Sequence, residues 1–303
     1  MKNFILLTLL VLSLFGDDYE FCEQPEKYDP AKGKINIEDV KNDASKKSME
    51  RWLNGNFALE TYKVNYILPY GYSNKAYKPK GPLHYDNIEA ELQVSLKLRV
   101  GQNLFGLHES YYVSYSHQSF WQIYIKSAPF RETNYNPEGF VIIPINDTTS
   151  MFQLRSVKLA IAHKSNGQPN TENVDVNGVP LGNLSKSINY VYTTIRAQHK
   201  THIIDLTFLA PMGTGDNLSD NPDLMDYWGY SKIKFTYFYH EHMFTLMARG
   251  NLRTGKGAAE ATYSYPLEDN TNLYVKLFSG YSESLIDYNR NLNKAAIGFS
   301  FSR

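Results

Sequence analysis

The feature that most constrains the fold is an unbroken alternation at residues 88–100. Ile88, Ala90, Leu92, Val94, Leu96, Leu98 and Val100 fall on one side, and Glu89, Glu91, Gln93, Ser95, Lys97 and Arg99 on the other. Successive side chains of a strand point to opposite faces, so this stretch reads as a strand with one apolar and one charged face. Strands in globular domains usually run about 5–6 residues, whereas a tilted strand that crosses a bilayer takes about 9–11. The polar face carries charges of both signs, as the inner wall of a small membrane barrel does.

The pattern recurs. It predicts strands at 58–69, 88–100, 107–124, 138–148, 152–165, 187–198, 201–210, 228–239, 242–250, 257–266, 271–280 and 293–301. That is an even number, as single-chain bacterial barrels have. The breaks after the second, fourth, sixth, eighth and tenth strands are short. The others are mostly longer, although the one after the ninth is modest. Short periplasmic turns and longer outer loops are the habit of transmembrane barrels. The expected fold is therefore all-β: a twelve-stranded antiparallel transmembrane β-barrel over residues 56–303 with a short N-terminal extension. Its lumen is narrow compared with a porin of ~16–18 strands, and Glu89, Glu91, Lys97 and Arg99 are expected to fill it with paired charges.

Before the barrel, Met1-Lys2-Asn3 leads into an apolar run at 4–15. The run is too short to span a membrane and has the length of a signal-peptide core, so residues 1–16 read as a signal peptide. Residues 17–55 read as a solvated, polar periplasmic extension, with Lys41, Lys46, Lys47 and Arg51 among acids and amides. Cys22, the lone cysteine, excludes an internal disulfide framework and reads as a free thiol. A formal net charge of zero gives no nucleic-acid footprint. The 24 tyrosines and 16 phenylalanines read as an interfacial girdle.

The chemistry gathers on the fifth and sixth strands. Val157, Leu159, Ile161, His163 and Ser165 alternate with Lys158, Ala160, Ala162 and Lys164. His163 and Ser165 thus continue the apolar, lipid-facing row rather than the lysine row. Downstream, Ser185, Ser187, Asn189, Val191, Thr193 and Ile195 also share one face. If the two strands pair, Asn189 lies near His163, which collects a base, a hydroxyl and an amide on the outer wall at the level of the outer leaflet. No G-x-S-x-G elbow surrounds Ser165, which excludes an α/β-hydrolase. His240-Glu241-His242 puts two histidines beside one turn without a third ligand nearby, and reads as a periplasmic hairpin rather than a metal site. Asn146-Asp147-Thr148 matches a glycosylation sequon and reads as a turn.

The long loops carry the unusual sequence. They hold Ser127-Ala128-Pro129-Phe130-Arg131-Glu132-Thr133-Asn134-Tyr135, His163-Lys164-Ser165-Asn166-Gly167 with Ser185, Ser187 and Asn189 downstream, Asp220-Asn221-Pro222-Asp223, and Glu283-Ser284-Leu285-Ile286-Asp287-Tyr288. In this order and spacing the chain strongly resembles the outer membrane phospholipase A family, over roughly residues 58–303. The resemblance implies a calcium-dependent phospholipase of A1/A2 type in the bacterial outer membrane. It also implies an active site on the outside of the barrel and a calcium-dependent homodimer. It casts Ser165 as nucleophile, His163 as general base and Asn189 as the residue that orients His163. It further implies Ca2+ ligands at Ser185, at the main chain of Gln168, at Ser127 from the partner subunit, and at Asp220 in a second or related site. Three positions depart from the family pattern: Gln168 stands where Arg is frequent, His117 stands about where the dimer wall carries Gln, and the chain ends Phe301-Ser302-Arg303 rather than in an aromatic. Without the resemblance, the strand pattern alone also fits a passive porin or structural barrel.

Overall fold

A computed structural model describes residues 41–53, 59–77, 84–145, 153–168, 172–174, 178, 180–213, 217–268 and 271–302. The expected signal peptide, Cys22 and the 146–148 sequon lie outside the described residues. Within the stretch read as a polar extension, helix α1 runs Asp43–Leu53. Asn42 caps it: its side-chain carbonyl accepts from Ser45 N at 2.9 Å and its main-chain carbonyl from Lys46 N at 2.8 Å. This segment forms a unit apart from the barrel.

The barrel strands are β1 (Tyr66–Ser73), β2 (Ile88–Gln102), β3 (Ser110–Trp121), β4 (Phe130–Pro144), β5 (Leu154–Ser165), β6 (Ser187–His199), β7 (His202–Pro211), β8 (Ser231–Tyr239), β9 (His242–Asn251), β10 (Lys256–Glu268), β11 (Thr271–Gly280) and β12 (Leu292–Ser300). Each pairs antiparallel with the next, and β12 pairs with β1, Lys294 opposite Ser73, so the sheet closes. The chain is a closed twelve-stranded antiparallel β-barrel, as the alternation predicts. A short strand, Leu59–Thr61, lies along β2 beyond the start of β1, with Leu59 opposite Leu98. Within the β5–β6 loop, Glu172–Val174 pairs with Pro180–Asn183. Helix α2 (Leu224–Trp228) lies in the β7–β8 loop.

Burial is inverted relative to a water-soluble domain. Glu89 and Glu91 are fully buried, while Val94, Tyr115, Ile161, Ile233, Leu246 and Ile297 are exposed. The apolar rows therefore face outward, where hydrocarbon takes the place of a protein core, and the polar rows face the lumen.

Lumen charges do pair, but not in the combination the sequence suggests. Glu89 and Glu91 meet Arg131, Lys276 and Lys294: Arg131 Nε lies 2.8 Å from Glu89, Lys276 Nζ 2.5 Å from Glu91, and Lys294 Nζ 3.0 Å from Glu89 and 3.2 Å from Glu91. Lys97 pairs with Glu60 at 3.1 Å, and Arg99 is exposed. Cations two or more pairs along one strand are too far from an acid to reach it, since each residue rises about 3.3 Å. Those on neighbouring and facing strands are close enough.

Two strands differ most from expectation. Strand β4 begins at Phe130, not near 138, because Arg131, Glu132, Asn134 and Asn136 are lumen residues, each buried, rather than solvated loop residues. The register shifts between Phe120 and Trp121 of β3, so that adjacent Arg131 and Glu132 are both buried. Strand β1 is displaced to Tyr66–Ser73 and carries an irregularity between Leu68 and Gly71. There Pro69 interrupts the ladder, and Gly298 of β12 faces it so closely that a Cβ would stand 2.2 Å from the carbonyl oxygen of Ile67.

Candidate active site

On β5 the side chains divide as the alternation requires. Leu159 and Ile161 are 44% and 52% exposed on the outer wall, and Ala162 is buried. Lys158 donates to the Tyr62 hydroxyl, and Lys164 Nζ lies 5.7 Å from the centroid of the Trp228 ring. His163 and Ser165 belong to the row of Leu159 and Ile161. The imidazole and the hydroxyl stand on the outside of the barrel.

Pairing of β5 with β6 sets Asn189 opposite His163 and Ser187 opposite Ser165. The Asn189 side chain meets His163 Nδ1 with its Oδ1, at 2.8 Å. An amide oxygen only accepts, so this bond takes its proton from Nδ1, which in a neutral imidazole is the tautomer that leaves Nε2 as the acceptor. Ser165 follows two residues on, about 6.5–7 Å along the same face.

Beyond Ser165 the chain is tied down by one buried side chain. Asn166 Oδ1 accepts from Lys186 N at 2.9 Å and Gln168 N at 3.4 Å, and its Nδ2 donates to Leu184 O at 2.9 Å. Gly167 has φ 63°, and a Cβ there would meet the Tyr135 ring at 2.8 Å, so only glycine suits the turn. Asn183 completes the tie: its Oδ1 accepts from Ser185 N at 2.8 Å and its Nδ2 donates to Asp220 Oδ1 at 2.7 Å.

Gln168, Ser185 and Asp220 are thereby linked through Asn166 and Asn183 at the end of β5. Ser127 is elsewhere, in the β3–β4 loop with φ 69°. No hydrogen bond joins it to the other three among the described residues. His117 stands on the outer wall of β3, where its Nε2 meets Ser119 Oγ at 2.8 Å and Ser119 meets Thr133 at 2.9 Å. At the opposite end of the barrel, His242 bonds the Tyr263 hydroxyl at 2.8 Å. Among the described residues no three His, Cys, Asp or Glu side chains gather in one place.

A sequence profile of the family described as Phospholipase A1 matches residues 43–301. The chain belongs to the phospholipase A1 family. It is 31% identical over 251 residues to phospholipase A1 of Salmonella typhimurium, and 30% over 251 residues to that of Escherichia coli K12; each alignment covers 80% of this chain and 81% of the relative. The solved outer membrane phospholipase A of Escherichia coli superposes with a TM-score of 0.70 at 29% identity, over 81% of this chain and 99% of that one. The Salmonella typhi outer membrane phospholipase, solved as a dimer with bound calcium, also gives 0.70 at 28% identity, over 82% of this chain and 93% of that one.

Membership in this phospholipase family makes the chain an enzyme, and the barrel together with these relatives supports the bacterial outer membrane as its location. Strand period and resemblance single out His163, Ser165 and Asn189, and the pairing of β5 with β6 brings the three to one stretch of the outer wall. The loop asparagines that bond the main chain around them, Asn166, Asn217 and Asn221, carry no such signal. These sit in irregular loops, where no periodicity distinguishes a buried amide from a solvated one.

Proposed function

We propose that the chain is a calcium-dependent phospholipid acyl hydrolase that works by a Ser-His-Asn mechanism on the outer barrel wall. The observation that carries this reading is the 2.8 Å bond between His163 Nδ1 and Asn189 Oδ1, on the strand face that also holds Ser165. With Nδ1 protonated, His163 Nε2 takes the proton of Ser165 as its Oγ attacks the ester carbonyl. The tetrahedral adduct collapses, the C–O bond to the lysophospholipid breaks, and His163 returns the proton to the leaving oxygen. Water, deprotonated by the same nitrogen, then attacks the acyl-serine and releases fatty acid and free Ser165. Asn189 orients the imidazole but adds no negative charge to stabilise the imidazolium.

The donors at the end of β5 suit a hard cation, being all oxygen: the Gln168 carbonyl, the Ser185 hydroxyl and, at a second or related site, the Asp220 carboxylate. Gln168 in place of Arg does not alter a main-chain carbonyl. Bound calcium would polarise the ester carbonyl and stabilise the oxyanion. Ser127 is supplied to this group by a second copy of the chain, so the active form is a homodimer, with His117 in the shared wall. Phospholipid reaching the outer leaflet lies against the face that bears Ser165. The porin reading is less favoured, because ion pairs of Glu89, Glu91, Arg131, Lys276 and Lys294 cross the lumen.

The function is tested with purified protein in phospholipid–detergent mixed micelles. Fatty acid is released in calcium and not in excess chelator; release that ignores the chelator contradicts the calcium requirement. The ligand assignment has its own test in a calcium titration of the rate. Gln168→Ala keeps the carbonyl and leaves the half-saturating calcium concentration nearly unchanged. Ser185→Ala removes a ligand oxygen and raises that concentration by roughly tenfold. If Gln168→Ala is the more damaging change, the carbonyl assignment is wrong.

A further inference from the structure

The first residues of β6 have a strand on one side only. Strand β5 accompanies them from Ser187, opposite Ser165. Strand β7 pairs only from Tyr190, opposite its last residue, Pro211. Proline has no N–H for a ladder, and the chain leaves the sheet there. Ser187 and Asn189 direct their N–H and C=O toward the missing neighbour, since alternate residues of a strand bond to the same side. Bare peptide groups in a membrane wall are unfavourable, because hydrocarbon offers them no hydrogen-bond partner.

Side-chain amides occupy that gap. Asn217 Oδ1 accepts from Asn189 N at 2.5 Å, and its Nδ2 donates to Asn189 O at 2.8 Å and to Met212 O at 2.8 Å. Met212 N adds a bond to Asn189 O at 2.9 Å. Asn221 repeats the device one pair along: its Oδ1 accepts from Ser187 N at 2.9 Å, and its Nδ2 donates to Ser187 O at 3.0 Å. A primary amide offers the same donor and acceptor as a peptide group, so the two side chains stand in for two rungs of an absent strand. Both are buried, Asn221 completely.

We propose that Asn217 is a positioning residue for ester hydrolysis: its amide fixes the main chain of Asn189, and through Asn189 the ring of His163. The proposal rests on the Ser-His-Asn reading above. On the β7 side the main chain of Asn189 itself is held, among the described residues, by Asn217 and Met212, while Asn221 holds Ser187 beyond it. A strand end released on one side frays, and a displacement of about 1 Å at a group that aims a base is enough to lower turnover severely. Residue type matters here. Asp would lack the donor for Asn189 O, and Ala lacks both partners.

A double-mutant cycle separates this role from a merely structural one. Asn189→Ala, Asn217→Ala and the double variant are compared with the parent in calcium-containing mixed micelles, with kcat and KM resolved and barrel folding checked by its heat-dependent migration in gels. Asn217→Ala is expected to lower kcat by roughly tenfold with KM within about twofold, and to do almost nothing further in the Asn189→Ala background. Asn217→Asp, which keeps the acceptor for Asn189 N, falls between parent and alanine variant. A damaging Asn189→Ala combined with a silent Asn217→Ala, or with losses that simply multiply, overturns the positioning role alone. An Asn189→Ala protein as active as the parent overturns the Ser-His-Asn reading and this proposal with it.

Discussion

Ser165→Ala is expected to lower phospholipid hydrolysis by about a thousandfold or more, the loss typical when a nucleophile that works as a unit with its base is removed. The barrel should persist, because one hydroxyl on an outward-facing strand end contributes little to folding. The variant is assayed for fatty-acid release at saturating calcium, beside its heat-dependent gel shift as the check on folding. A folded Ser165→Ala protein with rates near the parent's would remove Ser165 from the chemistry. His163→Ala should be comparably damaging, since Nε2 is the proposed base for both half-reactions.

The second large effect lies in the lumen. Arg131 is buried, and its guanidinium grips Glu89 through two bonds, Nε to Oε2 at 2.8 Å and Nη2 to Oε1 at 3.0 Å. Its Nη1 bonds Asp287, and the cation rests 3.8 Å from the centroid of Tyr77. One side chain thus joins β2 and β4 to the β11–β12 loop. Arg131→Ala takes a counter-charge from each of two buried acids, Glu89 and Asp287. Breaking a buried pair in this way is worth about 3–5 kcal/mol, so the variant should unfold at markedly lower denaturant concentration. Proteolysis in the 281–291 loop should also quicken. Arg131→Lys keeps the charge but loses the fork, and is expected to recover part of the stability. An unchanged unfolding midpoint for Arg131→Ala would show that Lys294, 3.0 Å from Glu89, suffices alone.

The barrel was legible in the sequence because membrane strands are long and their period is strict. The row from Leu159 to Ser165 needed nothing but alternation to be placed outside. Placing Asn189 opposite His163 needs the register of strands separated by a long loop; the shared face of Ser187, Asn189 and Val191 narrows it to alternate positions, and the strand pairing sets it. What escaped has a common physical origin. A lumen-facing residue and a loop residue are both polar, so Arg131 to Asn136 read as a loop although they form the first half of β4. The partners of Glu89 and Glu91 lie on other strands, so the nearby Lys97 and Arg99 were poor guides. The amide clamps of Asn166, Asn217 and Asn221 depend on where irregular backbone passes, which no repeat in the sequence encodes.

The most direct test of the central claim is covalent labelling of the nucleophile. The purified chain is treated with a long-chain alkyl fluorophosphonate in detergent with calcium, and the modified residue is located by mass spectrometry of its peptides. The account predicts one adduct per chain, on Ser165, formed in step with the loss of hydrolysis and absent from Ser165→Ala and His163→Ala. An adduct on another residue that abolishes activity, or full hydrolysis by a chain labelled at Ser165, would contradict it.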